Sequence, residues 1–350
     1  MMLMDGKMNR SFAINLLVTI VVNVVSAIDN DTLGDDSTRY VPNSAFATVT
    51  IRLGLIDETL GLKLVPFDPI LHQLFYETGI DFRHVDTVTY VLSRHPKSDE
   101  AHAGFICSFK EKIDGVEYFQ KTTRSDSINV TDIDGTKIMQ IDQCSKYAIQ
   151  VSEKTVVISD EEHFALIMSE SKAEKTDLTQ LIRDNTSETL LCIRIATATI
   201  SDWAKQSDQV AFESMKMDDQ IEYAMSGEHF IRRCKTISLD FDWNEEGVSL
   251  NSKFETKNSE TAKELRKEFN SMLDLIPAAY ETETKQLESG NGIFEEEAFG
   301  WAWYLTKVSR YVRKSLQPSV KGNRMIIQHR DKDAGQLITV FLTLYASQGF

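Results

Sequence analysis

The sequence predicts an α+β fold: two tandem repeats of a mixed sheet packed against helices, following an N-terminal signal segment. Three observations carry this. From Thr236 to Thr256, Ile237, Leu239, Phe241 and Trp243 alternate with polar residues, Asn244-Glu245-Glu246-Gly247 breaks the run, and Val248, Leu250 and Phe254 resume it. That is an antiparallel strand pair with one buried face and a Gly-ended loop. A similar pair, Val85–Ser93 and Ala103–Lys110, lies about 145–150 residues earlier in matching surroundings. From Ser259 to Ile276, Ala262, Leu265, Phe269, Met272, Leu273 and Ile276 fall on one helical stripe. The boundaries that follow are residues 1–27 for the signal, 28–40 for a flexible lead-in, 41–172 for a first unit and 173–350 for a second.

In the first unit, Phe46–Leu53 alternates as a strand, with Ala47, Val49 and Ile51 on one side. Asp68-Pro69 suits a helix start, Ile70, Leu71, Leu74 and Phe75 continue it, and Gly79 suits its stop. After the strand pair come a short helix or turn at Gly115–Thr123, strands at Ile138–Ile141, Tyr147–Val151 and Thr155–Ile158, and a helix from Glu161 to about Ser171. The connection Lys172–Asn185 holds a helical turn or two.

The second unit repeats the order. Glu188–Ala196 is its first strand, Thr199–Met225 is helical, and the opening strand pair follows. The helix from Ser259, with Ser259 as N-cap, ends at Pro277. Glu295–Leu316 is an extra amphipathic helix, Val320–His329 a hairpin or strand, and Asp333–Ser347 the last helix. Offsets between the copies drift from about 142 at the first strand to about 169 at the last, as one large insertion would cause.

The first 27 residues address the compartment. Lys7 and Arg10 precede the mostly apolar Ser11–Ala27, which ends in Val25-Ser26-Ala27, and the chain then turns acidic. This is the three-part pattern of a secretory signal, and the run is short for a membrane span. A secreted or periplasmic protein is expected, not integral to the membrane once cleaved and membrane-anchored if the segment stays. Hydrophobic residues make up 42% and charged ones 26% of 350 residues, enough for a sizeable core. A net charge of −15 disfavours nucleic acid and anionic membrane. The basic group Lys307, Arg310, Arg313 and Lys314 ends a helix that opens Glu295-Glu296-Glu297, as the helix dipole favours.

Export leaves two readings of Cys107, Cys144, Cys192 and Cys234: two disulfides in any of three pairings, or small hydrophobes in strand-like runs. No C-x-x-C, G-x-S-x-G, H-E-x-x-H or Gly-rich phosphate loop occurs, so no cofactor, metal or catalytic set is implied. Asp132-Ile133-Asp134-Gly135 resembles part of a calcium loop, but Val130 and Ile141 stand where oxygen ligands belong, so it reads as a turn. His84, His95 and His102 flank the first strand pair near Asp81, Asp86, Asp99 and Glu100, a set that could ligate a divalent metal such as zinc. The spacing follows no known ligand pattern, and the bland reading is solvated loop histidines. His163 and His229 read as surface residues. Trp301, Trp303, Tyr304 and Tyr311 mark the extra helix. Trp303 lies on its apolar stripe, and Trp301 and Tyr304 point elsewhere, toward a ligand or partner groove or toward packing between the units.

Val41-Pro42 with Ala45-Phe46, Gly79-Ile80-Asp81 ahead of Val85-Asp86-Thr87-Val88, and Gly115 with Tyr118 resemble a loose class of uncharacterised exported proteins frequent in planctomycete-type bacteria. The resemblance spans most of the mature chain and brings no activity or site residues. The expected function is that of a non-catalytic binding or cell-envelope protein with an unidentified protein or envelope partner. Its rivals are an exported hydrolase with an acid–base pair assembled from distant residues, and a carrier of an apolar ligand.

Overall fold

In a computed structural model the chain is described at residues 37–55, 75, 78–94, 101–123, 128–133, 135–142, 144–171, 176–183, 189–197, 228–244, 247–288, 310–311, 313–332 and 334. Alternating side chains make strands wherever the sequence shows period two. They are β1 (Ala45–Arg52), β2 (Val85–Arg94), β3 (Ala101–Phe109), β5 (Thr136–Ile141), β6 (Lys146–Gln150), β7 (Thr155–Ser159), β8 (Leu191–Ala196), β9 (Cys234–Asn244) and β10 (Gly247–Thr256). The expected hairpin near the end is β11 (Ser319–Lys321) and β12 (Arg324–Asp331). An unforeseen strand, β4 (Asn129–Ile133), pairs with β5 at the sheet edge. It is exposed along most of its length, so no buried stripe marks it in the sequence.

The described helices are α1 (Gly115–Thr123), α2 (Glu162–Glu170), α3 (Asp177–Arg183), α4 (Glu228–Arg233) and α5 (Ser259–Glu288). Two expectations about α5 are corrected. The Asn258 side chain, one residue earlier than expected, caps it by accepting from Thr261 N at 2.9 Å. Pro277 lies inside the helix instead of ending it. Proline costs one internal hydrogen bond and favours a kink, and a long helix can continue through both. Phe75 and Gly79 agree with the expected helix stop. Gly79 N donates to Phe75 O at 2.8 Å, with φ of +71° at the glycine. The rest of that expected helix, the helix expected at 199–225, and residues 295–309 and 335–347 fall outside the described residues.

The fold is α+β. Its twelve described strands form one sheet in the order β11-β12-β10-β9-β8-β1-β2-β3-β7-β6-β5-β4, antiparallel at each described pairing. Strands from residues 41–172 and from 173–350 meet at β1 and β8, where Val49 lies opposite Ile193. Outward from that pair the order is β2, β3, β7, β6 on one side and β9, β10, β12, β11 on the other.

Helices cover both faces. Val49, Ile51, Val88, Cys107 and Ile193 belong to the largest core cluster, with Phe119 of α1. On the opposite side, Val91, Ile106, Ile149 and Val157 pack under Phe164, Ala165 and Met168 of α2. Leu265 of α5 joins Phe254, Met325 and Ile327 in a third cluster. Burial of such side chains contributes about 1.5–3 kcal/mol each. Among the described residues no helix is long and apolar enough to cross a membrane.

Candidate functional site

Period two places Thr48, Thr50 and Arg52 of β1 on the side opposite Val49 and Ile51. In a sheet with one wet face they would meet water. Here Thr48 is 1% and Arg52 8% exposed. The register extends this polar row across the sheet centre. Thr50 stands opposite Thr89 and Cys192, Arg52 opposite Thr87, Thr48 opposite Arg194, and Cys192 opposite Asp240. A buried polar seam therefore runs over β2, β1, β8 and β9, where the two parts of the sheet join.

Buried polar atoms need partners, and most of this seam has them. The Thr50 and Thr89 hydroxyls lie 3.1 Å apart. Arg194 donates to Ile193 O at 2.9 Å, to Leu239 O at 3.0 Å and to Leu181 O of α3 at 3.4 Å, and it pairs with Asp240. Thr189 and Cys192 meet at 2.9 Å. Thr48 Oγ1 is buried without a hydrogen-bond partner. Threonine hydroxyls and guanidinium groups hold anions and hydroxylated molecules by hydrogen bonds. They do not exchange protons near neutral pH. The titratable thiol in the seam, Cys192, is pushed up by burial, against the pull of Arg194 and the Thr189 hydrogen bond.

Two other polar groups stand apart. His329 and Asp331 share one side of β12, two residues apart, and Tyr311 approaches from a helical turn at 310–311. The Tyr311 hydroxyl donates to Asp331 Oδ2 at 2.6 Å, so the contact with His329 Nε2, also 2.6 Å, has the imidazole as donor. His329 Nε2 and Asp331 Oδ2 are 4.0 Å apart. In the other part of the sheet, His102 Nδ1 meets Glu161 Oε1 at 2.9 Å, and its ring stacks on Phe164 at 5.0 Å between centroids. Ser93, opposite His102 in the register, shares a 2.6 Å hydrogen bond with Ser44.

The structure separates the histidines that the sequence groups. His84 lies 4.0 Å from Asp81 at one end of β2, and His102 sits at the far end of β3. His95, Asp99 and Glu100 lie outside the described residues, as do Trp301, Trp303 and Tyr304. Among the described residues no three His, Cys, Asp or Glu side chains gather as metal ligands. Gly135, with φ of +85°, donates to Asp132 Oδ1 at 2.9 Å in the turn between β4 and β5, where the calcium-loop fragment reads as a turn. Sequence reading misses Tyr311–His329–Asp331. Its local signal is His-x-Asp in a strand, which puts both side chains on one face.

All four cysteines are free thiols. Burial raises each of them, with Cys234 pushed up to about 12. Because the thiolate is the reactive form, half-buried Cys144 is expected to alkylate first at pH 8. Cys107, Cys192 and Cys234 should resist until the protein unfolds. Peptide mapping after a brief iodoacetamide pulse checks this, and rapid native labelling of Cys107 would contradict it.

No family model matches the chain, and no curated protein matches it either. Crystal forms III, I and IV of TP0453 are similar in structure. Their TM-scores are 0.41, 0.41 and 0.40, and their identities 9%, 10% and 7%. The alignments cover 88%, 89% and 86% of this chain and 98%, 98% and 95% of those. A likeness of this size says nothing about activity.

Proposed function

We propose that the chain is an exported, non-catalytic binding protein whose two related α+β units hold a small anionic or hydroxyl-rich ligand against the central polar seam. The observation that carries this reading is the composition of the seam. Buried hydroxyls and guanidinium groups meet at the join of the units, and they can grip a ligand without moving protons.

A single rung of the register supports the relatedness of the units. It runs Ile158, Phe105, Tyr90, Val49, Ile193, Leu239, Ser252, Ile327. Matched outward from its centre, the pairs are 144, 149, 147 and 169 residues apart. These steps follow the drift expected from the sequence. Each unit also has a helix after its third strand, α1 in one and α5 in the other. For export, the support is the charged, apolar and small-residue order of the first 27 residues, and the mature chain should begin at Ile28.

The test is thermal unfolding with a panel of small anions, inorganic phosphate first, beside native mass spectrometry of protein taken from its host. A ligand at a hundred times its Kd adds about 2.7 kcal/mol of stability. Arg52→Met keeps the length of the side chain and removes its charge, and it should abolish the gain. A gain that survives Arg52→Met, or none with any anion or co-purifying molecule, would sink the reading. The second reading, an exported hydrolase, is favoured by the meeting of Tyr311, His329 and Asp331, and turnover of an ester or glycoside panel would establish it.

A further inference from the structure

Tyr311, His329 and Asp331 bring three metal-ligating atoms to one place, from a helical turn and from one face of β12. The distances Tyr311 Oη to His329 Nε2, Tyr311 Oη to Asp331 Oδ2, and His329 Nε2 to Asp331 Oδ2 are 2.6, 2.6 and 4.0 Å. They fix a triangle, and the point equidistant from its corners lies about 2.0 Å from each, within the range that nitrogen and oxygen ligands take at zinc and its first-row neighbours. The side chains of His329 and Asp331 are 15% and 26% exposed, so a small ion can reach them.

The shape of the triangle narrows the choice of ion. Seen from that point, His329 and Asp331 stand nearly opposite, at about 160°, with Tyr311 between them at about 80° from each. A tetrahedral ion wants angles of about 109° and does not fit this arrangement. A T-shaped set of nitrogen and oxygen donors is three corners of a square, the geometry of Cu2+ and Ni2+. Cu2+ binds more tightly of the two in the usual order of divalent affinities.

We propose that Tyr311, His329 and Asp331 form a tetragonal site for a divalent transition-metal ion, Cu2+ in preference to Zn2+, with the fourth corner open to water or an exogenous ligand. Binding exchanges protons for metal. The Tyr311 phenol releases its proton to solvent, and the neutral His329 ring shifts its proton from Nε2 to Nδ1 so that Nε2 presents a lone pair. Asp331 binds as carboxylate. Affinity therefore falls as pH falls, since protons compete for the same atoms.

The experiment is calorimetric titration of the full-length metal-free protein with Cu2+, with Zn2+ as the comparison, beside electron paramagnetic resonance of the copper form. The expected result is one equivalent of Cu2+ with a tetragonal nitrogen–oxygen spectrum and at least tenfold weaker Zn2+. His329→Gln and Asp331→Asn should each weaken Cu2+ at least a hundredfold. Tyr311→Phe should weaken it about tenfold and remove a visible phenolate-to-copper band, which a merely structural role would not do. Circular dichroism confirms that each variant is folded, and any variant that is not is replaced by His329→Asn or Asp331→Ser. Absence of a stoichiometric site, or binding that survives both His329→Gln and Asp331→Asn as an adventitious ion, overturns the proposal.

Discussion

Gly247→Ala is expected to destabilise the fold by about 2–4 kcal/mol, lowering the melting temperature by about 3–6 °C. Gly247 opens β10 with φ of +111°, a conformation that residues with a Cβ rarely adopt. Space is short as well. An alanine Cβ there would lie 2.5 Å from Asp331 O, 2.6 Å from Lys332 Cα and 2.9 Å from Asp331 C. All three are backbone atoms, so relief requires β10 and β12 to part at their end. Gly135→Ala is the control. It carries φ of +85° with open space around it, so only the conformational cost remains, about 1 kcal/mol. Urea denaturation of both variants checks the pair. Equal losses would show that the approach of β12 to Gly247 is not tight. Because Val248 pairs with Asp331, the displaced strand also carries a member of the proposed copper site, and Cu2+ affinity should drop in Gly247→Ala but not in Gly135→Ala.

The strands most legible in the sequence are those with one apolar side and one polar side. Ile237, Leu239, Phe241 and Trp243 announce β9, and Val248, Leu250 and Phe254 announce β10. The edge strand β4 is silent because its residues are mostly exposed on both sides, and period two shows only where one side is buried. β1 is legible as a strand but not in its surroundings. Thr48 and Arg52 look like residues for water, and only the register with Thr87 and Arg194 shows a buried row. Caps are readable to within a residue, Asn258 taking the place expected of Ser259. Tyr311 and His329 lie 18 positions apart and meet only because the chain reverses through β11 and β12. Local pattern cannot report such a meeting, whereas the His329-x-Asp331 half of the cluster is local and was there to be seen.

Arg194→Ala tests the centre of the sheet, where β1 meets β8, with an expected loss of about 3–5 kcal/mol. The side chain is 4% exposed, and its partner Asp240 is 12% exposed. Removing the cation leaves a carboxylate held out of water with its countercharge gone, which is the costly way to break a buried pair. The loss extends beyond the pair, because the same guanidinium reaches Ile193 O and Leu239 O on β8 and β9 and Leu181 O on α3. One residue thus binds β8 and β9 to α3, and α3 in turn packs against β1. If the pair sets the cost, Arg194→Met combined with Asp240→Leu should recover most of what Arg194→Ala loses, since neither charge then lacks a partner. If the contacts with α3 set it, the double variant should stay as unstable as the single one. A double-mutant cycle in urea separates these outcomes. A loss under 1 kcal/mol for Arg194→Ala would mean that the backbone pairing of β1 with β8 and the apolar contact of Val49 with Ile193 hold the sheet centre without the buried pair. The polar seam would then be free to change its partners on binding the proposed ligand.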